Sequence, residues 1–392
     1  MSRPAYVLPT IVLAQFAGTS LWFAGNAVLP MLPGEWRLGD EDIGYLTSSV
    51  QFGFITGTLV FAFLSLADRF RAQRVFMWSA LAGAASNAAL IGITPDLYTA
   101  LVLRFATGFF LAGIYPVGMK IAATWYAEGL GRALGYLVGA LVLGTAFPHA
   151  LVAAGATLPW QTVMVTVSVL AALGGLAIGL GLPDGPHLPG SSPFNPRVLI
   201  EIFRSRQFRA SAFGYFGHMW ELYAFWAFVP LWLAASATAS DATFNVSAFS
   251  FTVIAVGALG CAVGGQLVAR WGSARVAALQ LAASGICCVL SPLLFGAALV
   301  PLALFMLIWG ITVVGDSPQF STLNAQTAPP QYVGSALTLA NCLGFAVSIV
   351  SIQLLAGLIP ATGAQYLFWL LLPGPILGLL ALRPALARSA GR

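Results

Sequence analysis

Residues 317–382 contain no Asp, Glu, His, Lys or Arg, and a water-soluble domain has nowhere to bury so long an apolar stretch. A helix crosses about 30 Å of hydrocarbon with roughly 20 residues. The charge-free runs 5–34, 43–67, 75–95 and 242–269 each meet that length. The run 276–315 is about twice as long, so it has to turn back near "GAALVPLAL", and 317–382 has to break at "GLIPATGAQ". Counting every segment this way predicts twelve transmembrane helices. Composition agrees, because only 7% of residues are charged and 59% are hydrophobic, where soluble domains carry about 25% charged residues.

Arg3 precedes an apolar stretch too long for a signal sequence, so this stretch reads as a retained first helix. Cys261, Cys287, Cys288 and Cys342 all fall in apolar spans, where they behave as small packing residues without metal-site spacing. No metal and no cofactor is expected. The net charge of +5 follows the membrane rule and gives no reason to expect nucleic acid. With a cytoplasmic N-terminus, one side holds Arg69, Arg71, Arg74, Arg132, Arg197, Arg204, Arg206, Arg209, Arg270 and Arg275, with Arg3, Arg383, Arg388 and Arg392 on the tails. The other side holds Arg37 among acidic residues. That asymmetry predicts a multi-pass protein of the cell membrane, of bacterial inner-membrane type, with both termini cytoplasmic.

Two strings align without a gap about half a chain apart. In "FLSLADRFRAQRV" and "GGQLVARWGSARV", Leu66, Arg69, Arg74 and Val75 fall on Leu267, Arg270, Arg275 and Val276. "GIYP" at 113–116 likewise matches "GDSP" at 315–318. The expectation is an all-α membrane protein built as two pseudo-symmetric six-helix bundles, 1–183 and 210–392. A Pro-rich, then Arg-rich cytoplasmic linker, 184–209, joins them and includes a short amphipathic piece. Parallel halves of this kind place a solute site at their interface.

At this point the chain resembles the major facilitator superfamily over nearly its whole length. Asp68, Arg69 and Arg74 match that family's Gly-x-x-x-Asp-Arg-x-Gly-Arg-Arg motif, with Leu64 and Arg71 in place of glycines. The second copy keeps Gly265, Arg270, Gly272 and Arg275 but has Ala269 where the acid belongs. The resemblance implies that Asp68, Arg69, Arg74, Arg270 and Arg275 form a cytoplasmic gate. It also implies that spans 1, 4, 7 and 10 line a central cavity, with 3, 6, 9 and 12 supporting it from outside. "RFATGF" is similar to the family's Arg-x-x-Gln-Gly motif through Arg104 and Gly108, which implies proton coupling or anion binding for Arg104.

Ionisable groups inside a bilayer cost roughly 2.5 to 3.5 kcal/mol each, so each demands a reason. Arg104 lies in span 4, His218 and Glu221 in span 7, and Asp316 in span 10. Helical spacing gathers stripes around them: Gln15, Thr19, Trp22 and Asn26; Arg104, Thr107, Leu111 and Tyr115; Tyr215, Leu222 and Trp226 beside His218 and Glu221; and Trp309, Thr312, Asp316 and Gln319. The proton carriers expected are Glu221 first, Asp316 second, with His218 as relay. The substrate set expected is Arg104, Tyr115, Trp22, Asn26, Thr19, Trp226, Trp309 and Gln319. A static ion pair, such as Arg104 with Glu221, is the structural alternative.

Lys120, the lone lysine, is expected to snorkel to headgroups. His149 is expected to be a hydrated structural residue near a helix end, and Gly135, Gly139 and Gly144 to permit close helix packing. No His-Glu-x-x-His or Gly-x-Ser-x-Gly is present, so an enzyme is not expected. The function expected is secondary active transport of a small organic solute, anionic or amphipathic, by alternating access with proton coupling. Direction is left open, and an uncoupled facilitator or anion exchanger is the alternative. Its partners would be the solute, protons and membrane lipids, with the protein a monomer.

Overall fold

Glycine decides how the helices of each half meet. In the first half, a Cβ on Gly108 would run into the Val50 carbonyl, and one on Gly57 into the Phe109 carbonyl. In the second half, Gly310 stands against the Val253 carbonyl at 2.0 Å or so of the missing Cβ's place, and Gly260 against that of Ile311. Every member of the second set lies 202 or 203 residues beyond its counterpart. Lipid tails are as apolar as leucine, so helices in a bilayer associate through this close van der Waals approach.

The computed structural model describes residues 4–32, 42–92, 96–126, 130–155, 158–187, 195 and 199–390, and among them it is helical with no strand. In chain order the first half comprises α1 (Val7–Thr19), α2 (Ala24–Val28), α3 (Asp42–Phe63), α4 (Leu66–Arg69), α5 (Ala72–Ala89), α6 (Leu97–Leu111), α7 (Tyr115–Trp125), α8 (Leu130–Ala154) and α9 (Trp160–Gly181). The second comprises α10 (Leu199–Arg204), α11 (Arg206–Ala239), α12 (Val246–Ala255), α13 (Gly257–Trp271), α14 (Ser273–Leu294), α15 (Leu299–Gly315), α16 (Ser317–Thr327), α17 (Val333–Tyr366) and α18 (Pro373–Ala390).

Nine helices among the described residues are long and apolar enough to cross a membrane, or ten if the bent pair Val7–Thr19 and Ala24–Met31 is one span. One of the nine, Pro330–Ala387, has 58 residues, far more than the roughly 20 a crossing needs. It divides at Gly363, whose φ of 65° and ψ of 166° interrupt the helix. Taking the bent pair as one span and dividing at Gly363 gives eleven, and the 18-residue α5 is not among the helices long and apolar enough to cross, so twelve is reached only when α5 is counted as well.

The chain separates into two compact units, Met1–Pro193 and Phe194–Arg392. In the first, α1 packs on α8 and α9, α3 on α6, and α5 on α6 and α9. In the second, α11 packs on α17 and α18, α13 on α15, and α14 on α15 and α18. The two patterns are the same. The boundary falls inside the stretch read as a linker. Part of that stretch is the short α10, whose Ile202 is buried in a cluster with Phe208, Ala212, Ala328, Ala336 and Ala340 of the second unit. Ile200 is exposed.

The matched motifs are helix breaks. "GIYP" separates α6 from α7 and "GDSP" separates α15 from α16, with proline at the start of the second piece each time. Proline has no N–H to give and tolerates the first turn. The first span also breaks, with a bend of 51°. Thr19 and Ser20 turn their hydroxyls back onto the carbonyls of Gln15 and Ala17 at 2.8 and 2.7 Å, a bonding habit that bends helices. Asp96 caps α6 by accepting from the Thr99 N–H at 2.9 Å.

Candidate functional site

In the second unit the sequence-predicted titratable residues meet. His218 and Glu221 lie three residues apart on one face of α11. Asp316 occupies the break between α15 and α16. The His218 Nδ1 is 2.7 Å from the Asp316 Oδ1, and both side chains are fully buried. Glu221 is also fully buried and close enough to Asp316 to feel its charge. Its Oε2 is 3.8 Å from the Cys288 thiol, and Ser284 lies one turn before Cys288 on the same helix face. Oε1 has no partner among the described residues. Ser284 in turn accepts the Trp309 indole N–H at 3.0 Å. Phe320 and Tyr215 flank His218, with ring centroids 5.8 and 6.0 Å away.

Electrostatics constrain this cluster. Charges removed from water need a partner of opposite sign, because desolvation costs several kcal/mol per ion. A protonated His218 balances one carboxylate. The cluster holds two, so one further proton is needed for neutrality.

In the first unit Arg104 is 1% exposed. Its Nη1 donates to the Leu21 carbonyl and to the Asn87 Oδ1, each at 3.1 Å, and its Nη2 donates to the Trp22 carbonyl. The carbonyls are those released by the break in the first span. Asn87 is held in turn, its Nδ2 donating to the Ser168 hydroxyl at 3.0 Å. Arginine's partners therefore all belong to its own unit, and Glu221 is not among them.

The remaining stripe residues are largely buried, each in a particular packing role. The Thr19 side chain lies where Gly144 of α8 comes closest. The Trp22 ring is tilted against Phe54 at 4.9 Å. Asn26 donates to Thr47 at 2.6 Å, and Trp226 meets Tyr223 edge-on at 5.4 Å. Trp309 is tilted against Phe225 at 4.7 Å, and Gln319 reaches back to the Gly315 carbonyl at 3.4 Å. Tyr115 is half-buried at the start of α7.

Of the expected gate residues, Arg69, Arg74, Arg270 and Arg275 are exposed. Asp68 is bound by Lys120, which corrects the expectation that this lysine snorkels to headgroups. Arg71 pairs with Asp184 at 3.2 Å. His149, expected to be hydrated, is 2% exposed. Of the glycines in α8, Gly144 is in tight contact with the first span, whereas a Cβ on Gly135 would meet nothing.

Sequence reasoning missed the contribution of α14. Read as an outer support, this helix carries Ser284 and Cys288 against Glu221. It also carries Gln280, whose amide fills the space beside Gly315 at the break before Asp316. The signal was available: Gln280, Ser284 and Cys288 recur every four residues, one polar face along an apolar helix. Among the described residues no group of three or more His, Cys, Asp and Glu is arranged to hold a metal ion.

The chain is similar to the uncharacterised transporter YgaY of Escherichia coli strains K12 and O157:H7. Identity is 25% over 241 residues, covering 57% of this chain and 60% of those proteins. The match thus spans about three-fifths of their length. It is also similar to a candidate niacin/nicotinamide transporter, NiaP, of Bacillus subtilis strain 168, at 27% identity over 169 residues, 41% of this chain and 39% of NiaP. Crystal structures of a bacterial homologue of the human lysosomal transporter Spinster share the fold. The inward-facing, unoccupied form gives a TM-score of 0.68 at 15% identity, covering 100% of this chain and 96% of that one. The family model for the Major Facilitator Superfamily matches residues 11–352, most of the chain. The helical architecture, the repeated half and the relatives agree, and the chain belongs to the major facilitator superfamily of membrane transporters.

Proposed function

We propose that this transporter moves a small organic solute by alternating access and couples that movement to protons through His218, Asp316 and Glu221. The observation that carries the reading is the fully buried His218–Asp316 contact of 2.7 Å with a second buried carboxyl, Glu221, beside it. Such a cluster is neutral with two protons and anionic with one. Because an uncompensated charge in a dry interior is expensive, losing a proton favours a conformation in which water reaches the site. Glu221 is the carrier in this reading, His218 the relay, and Asp316 the anchor that holds the imidazole. The solute is anionic or amphipathic, the protein sits in the cell membrane with both termini cytoplasmic, and Asp68 with the neighbouring arginines gates the cytoplasmic side.

Proteoliposomes test this. NiaP's name makes nicotinate the first solute to try, within a panel of small organic acids. A pH gradient should drive accumulation of the transported solute, and a protonophore should abolish it. Glu221→Gln should lose uphill flux and keep solute exchange. Undiminished uphill transport by that variant, or accumulation indifferent to the gradient, rejects proton coupling and leaves a facilitator or exchanger.

A further inference from the structure

Cys288 is one of four free cysteines, all expected from sequence to serve as packing, and its surroundings give it a further role. Its Sγ lies 3.8 Å from the Glu221 Oε2, within reach of a thiol donor, and both side chains are fully buried. A thiol is a weak donor with one hydrogen to give. Toward an ionised acceptor a hydrogen bond is roughly twice as strong, and a dry surrounding strengthens it further. The Glu221 Oε1 has no partner among the described residues, so the carboxyl is held at one oxygen and open at the other.

The turn that carries Cys288 is set by a proline. Pro292 lies inside α14 and, having no N–H, leaves the carbonyl of Cys288, four residues earlier, without its helical donor. Ser291 supplies the replacement, its hydroxyl donating to the Cys288 carbonyl at 2.8 Å. The Val289 carbonyl accepts the Trp369 indole N–H at 3.1 Å, and that of Pro292 accepts from the Gln365 amide at 3.1 Å. One turn before Cys288, the Trp309 indole donates to Ser284 at 3.0 Å and ties the same face of α14 to α15. Bonds on both sides of Cys288 therefore fix the turn from which its thiol reaches Glu221.

We propose that Cys288 positions Glu221 for proton transfer, its S–H holding Oε2 so that the proton is taken up and released at Oε1. When the carboxyl is ionised, the thiol donates to a charged oxygen. When it is protonated, the acid hydrogen stands on Oε1, because one on Oε2 would face the thiol hydrogen. Only the O–H bond forms and breaks, and the thiol keeps its own proton throughout. This deepens the transporter reading and rests on it for Glu221 as the carrier; Cys288 is a positioning residue that acts through that carboxyl.

Infrared spectroscopy of the purified full chain in detergent tests the contact without solute or gradient. The S–H band lost in Cys288→Ala should lie on the low-frequency, hydrogen-bonded side, and Glu221→Leu should move it to higher frequency. Reciprocally, the acid carbonyl band lost in Glu221→Gln at low pH should move to higher frequency in Cys288→Ala. In proteoliposomes with nicotinate as the probe, Cys288→Ala should lower uphill flux about fivefold and leave exchange within about twofold. An S–H band indifferent to Glu221→Leu, or a carbonyl band indifferent to Cys288→Ala, overturns the assignment. So does an equal fall of uphill flux and exchange, which is what lost packing would give. Should Glu221→Leu not fold, the carbonyl band still decides. A chain that exchanges nicotinate but never accumulates it fails the coupling reading, whereas the two infrared bands go on deciding whether the thiol holds the carboxyl.

Discussion

Lys120 and Asp68 are joined across 52 residues of sequence: the lysine ammonium donates to the Asp68 carboxylate and also to the Ala67 carbonyl at 2.6 Å. This fastens α4, a single turn after the long α3, to α7. The two side chains are 26% and 36% exposed, so water screens the pair and its contribution is small, about 0.2 to 1 kcal/mol. Lys120→Met and Asp68→Asn should each lower the melting temperature slightly. The double variant should lose little more than either one, which a double-mutant cycle measures. Strict additivity of the two losses would show that the contact contributes nothing.

Arg104 and Asn87 carry more. Both are buried and the bond is charge-assisted, so removing the acceptor should cost about 1.5 to 3 kcal/mol. Asn87→Leu should therefore destabilise well beyond Ser168→Ala, which removes only the neutral bond that orients the amide at 3.0 Å and should cost about 1 kcal/mol. Denaturant or thermal unfolding of the two variants checks the order. The reverse order would mean that Asn87 does not support the guanidinium.

What could be read from sequence followed from periodicities that a bilayer enforces. The lengths of apolar runs marked out the long helices, and the offset of the arginine strings gave the duplication that now appears as equivalent glycine contacts. His218, Glu221 and Asp316 stood out because ionisable residues in such runs are rare. The partners were harder to see. Asn87 and Ser168 are small polar residues of a kind scattered through every membrane helix, and nothing local distinguishes the one that meets Arg104. Lys120 was misjudged because its partner lies on another helix, and rise per residue says where a side chain sits along its own axis but not what faces it. The break in the first span, which frees the carbonyls that Arg104 takes, has no proline at the bend, and Gly18, Thr19 and Ser20 are a weak breaker signal inside so long an apolar run.

His218 and Asp316 should be less tolerant than Glu221. Taking away one member of a buried pair leaves the other uncompensated, a loss of about 3 to 5 kcal/mol. Asp316→Ala should thus be strongly destabilising or fail to accumulate. Glu221→Gln keeps the shape without the charge, and should be near neutral in thermal stability. Equal damage from both substitutions would indicate that Glu221 is paired as firmly as Asp316 and is no free carrier.

The glycine contacts offer the most direct check on the repeat. Alanine in a helix interior is ordinarily favoured over glycine by roughly 0.5 to 1 kcal/mol. At Gly108 and Gly310 the added methyl would collide with a backbone carbonyl, that of Val50 and that of Val253, and backbone cannot swing aside as a side chain does. The helices must separate, and strain of this kind costs typically 1 to 3 kcal/mol, which outweighs the gain in propensity. Gly108→Ala and Gly310→Ala should accordingly destabilise by similar amounts, whereas Gly135→Ala, where the methyl meets nothing, should be neutral or slightly stabilising. Matched losses at the first two positions would make the two units energetically as well as geometrically equivalent. A loss at one alone would confine close packing to a single unit.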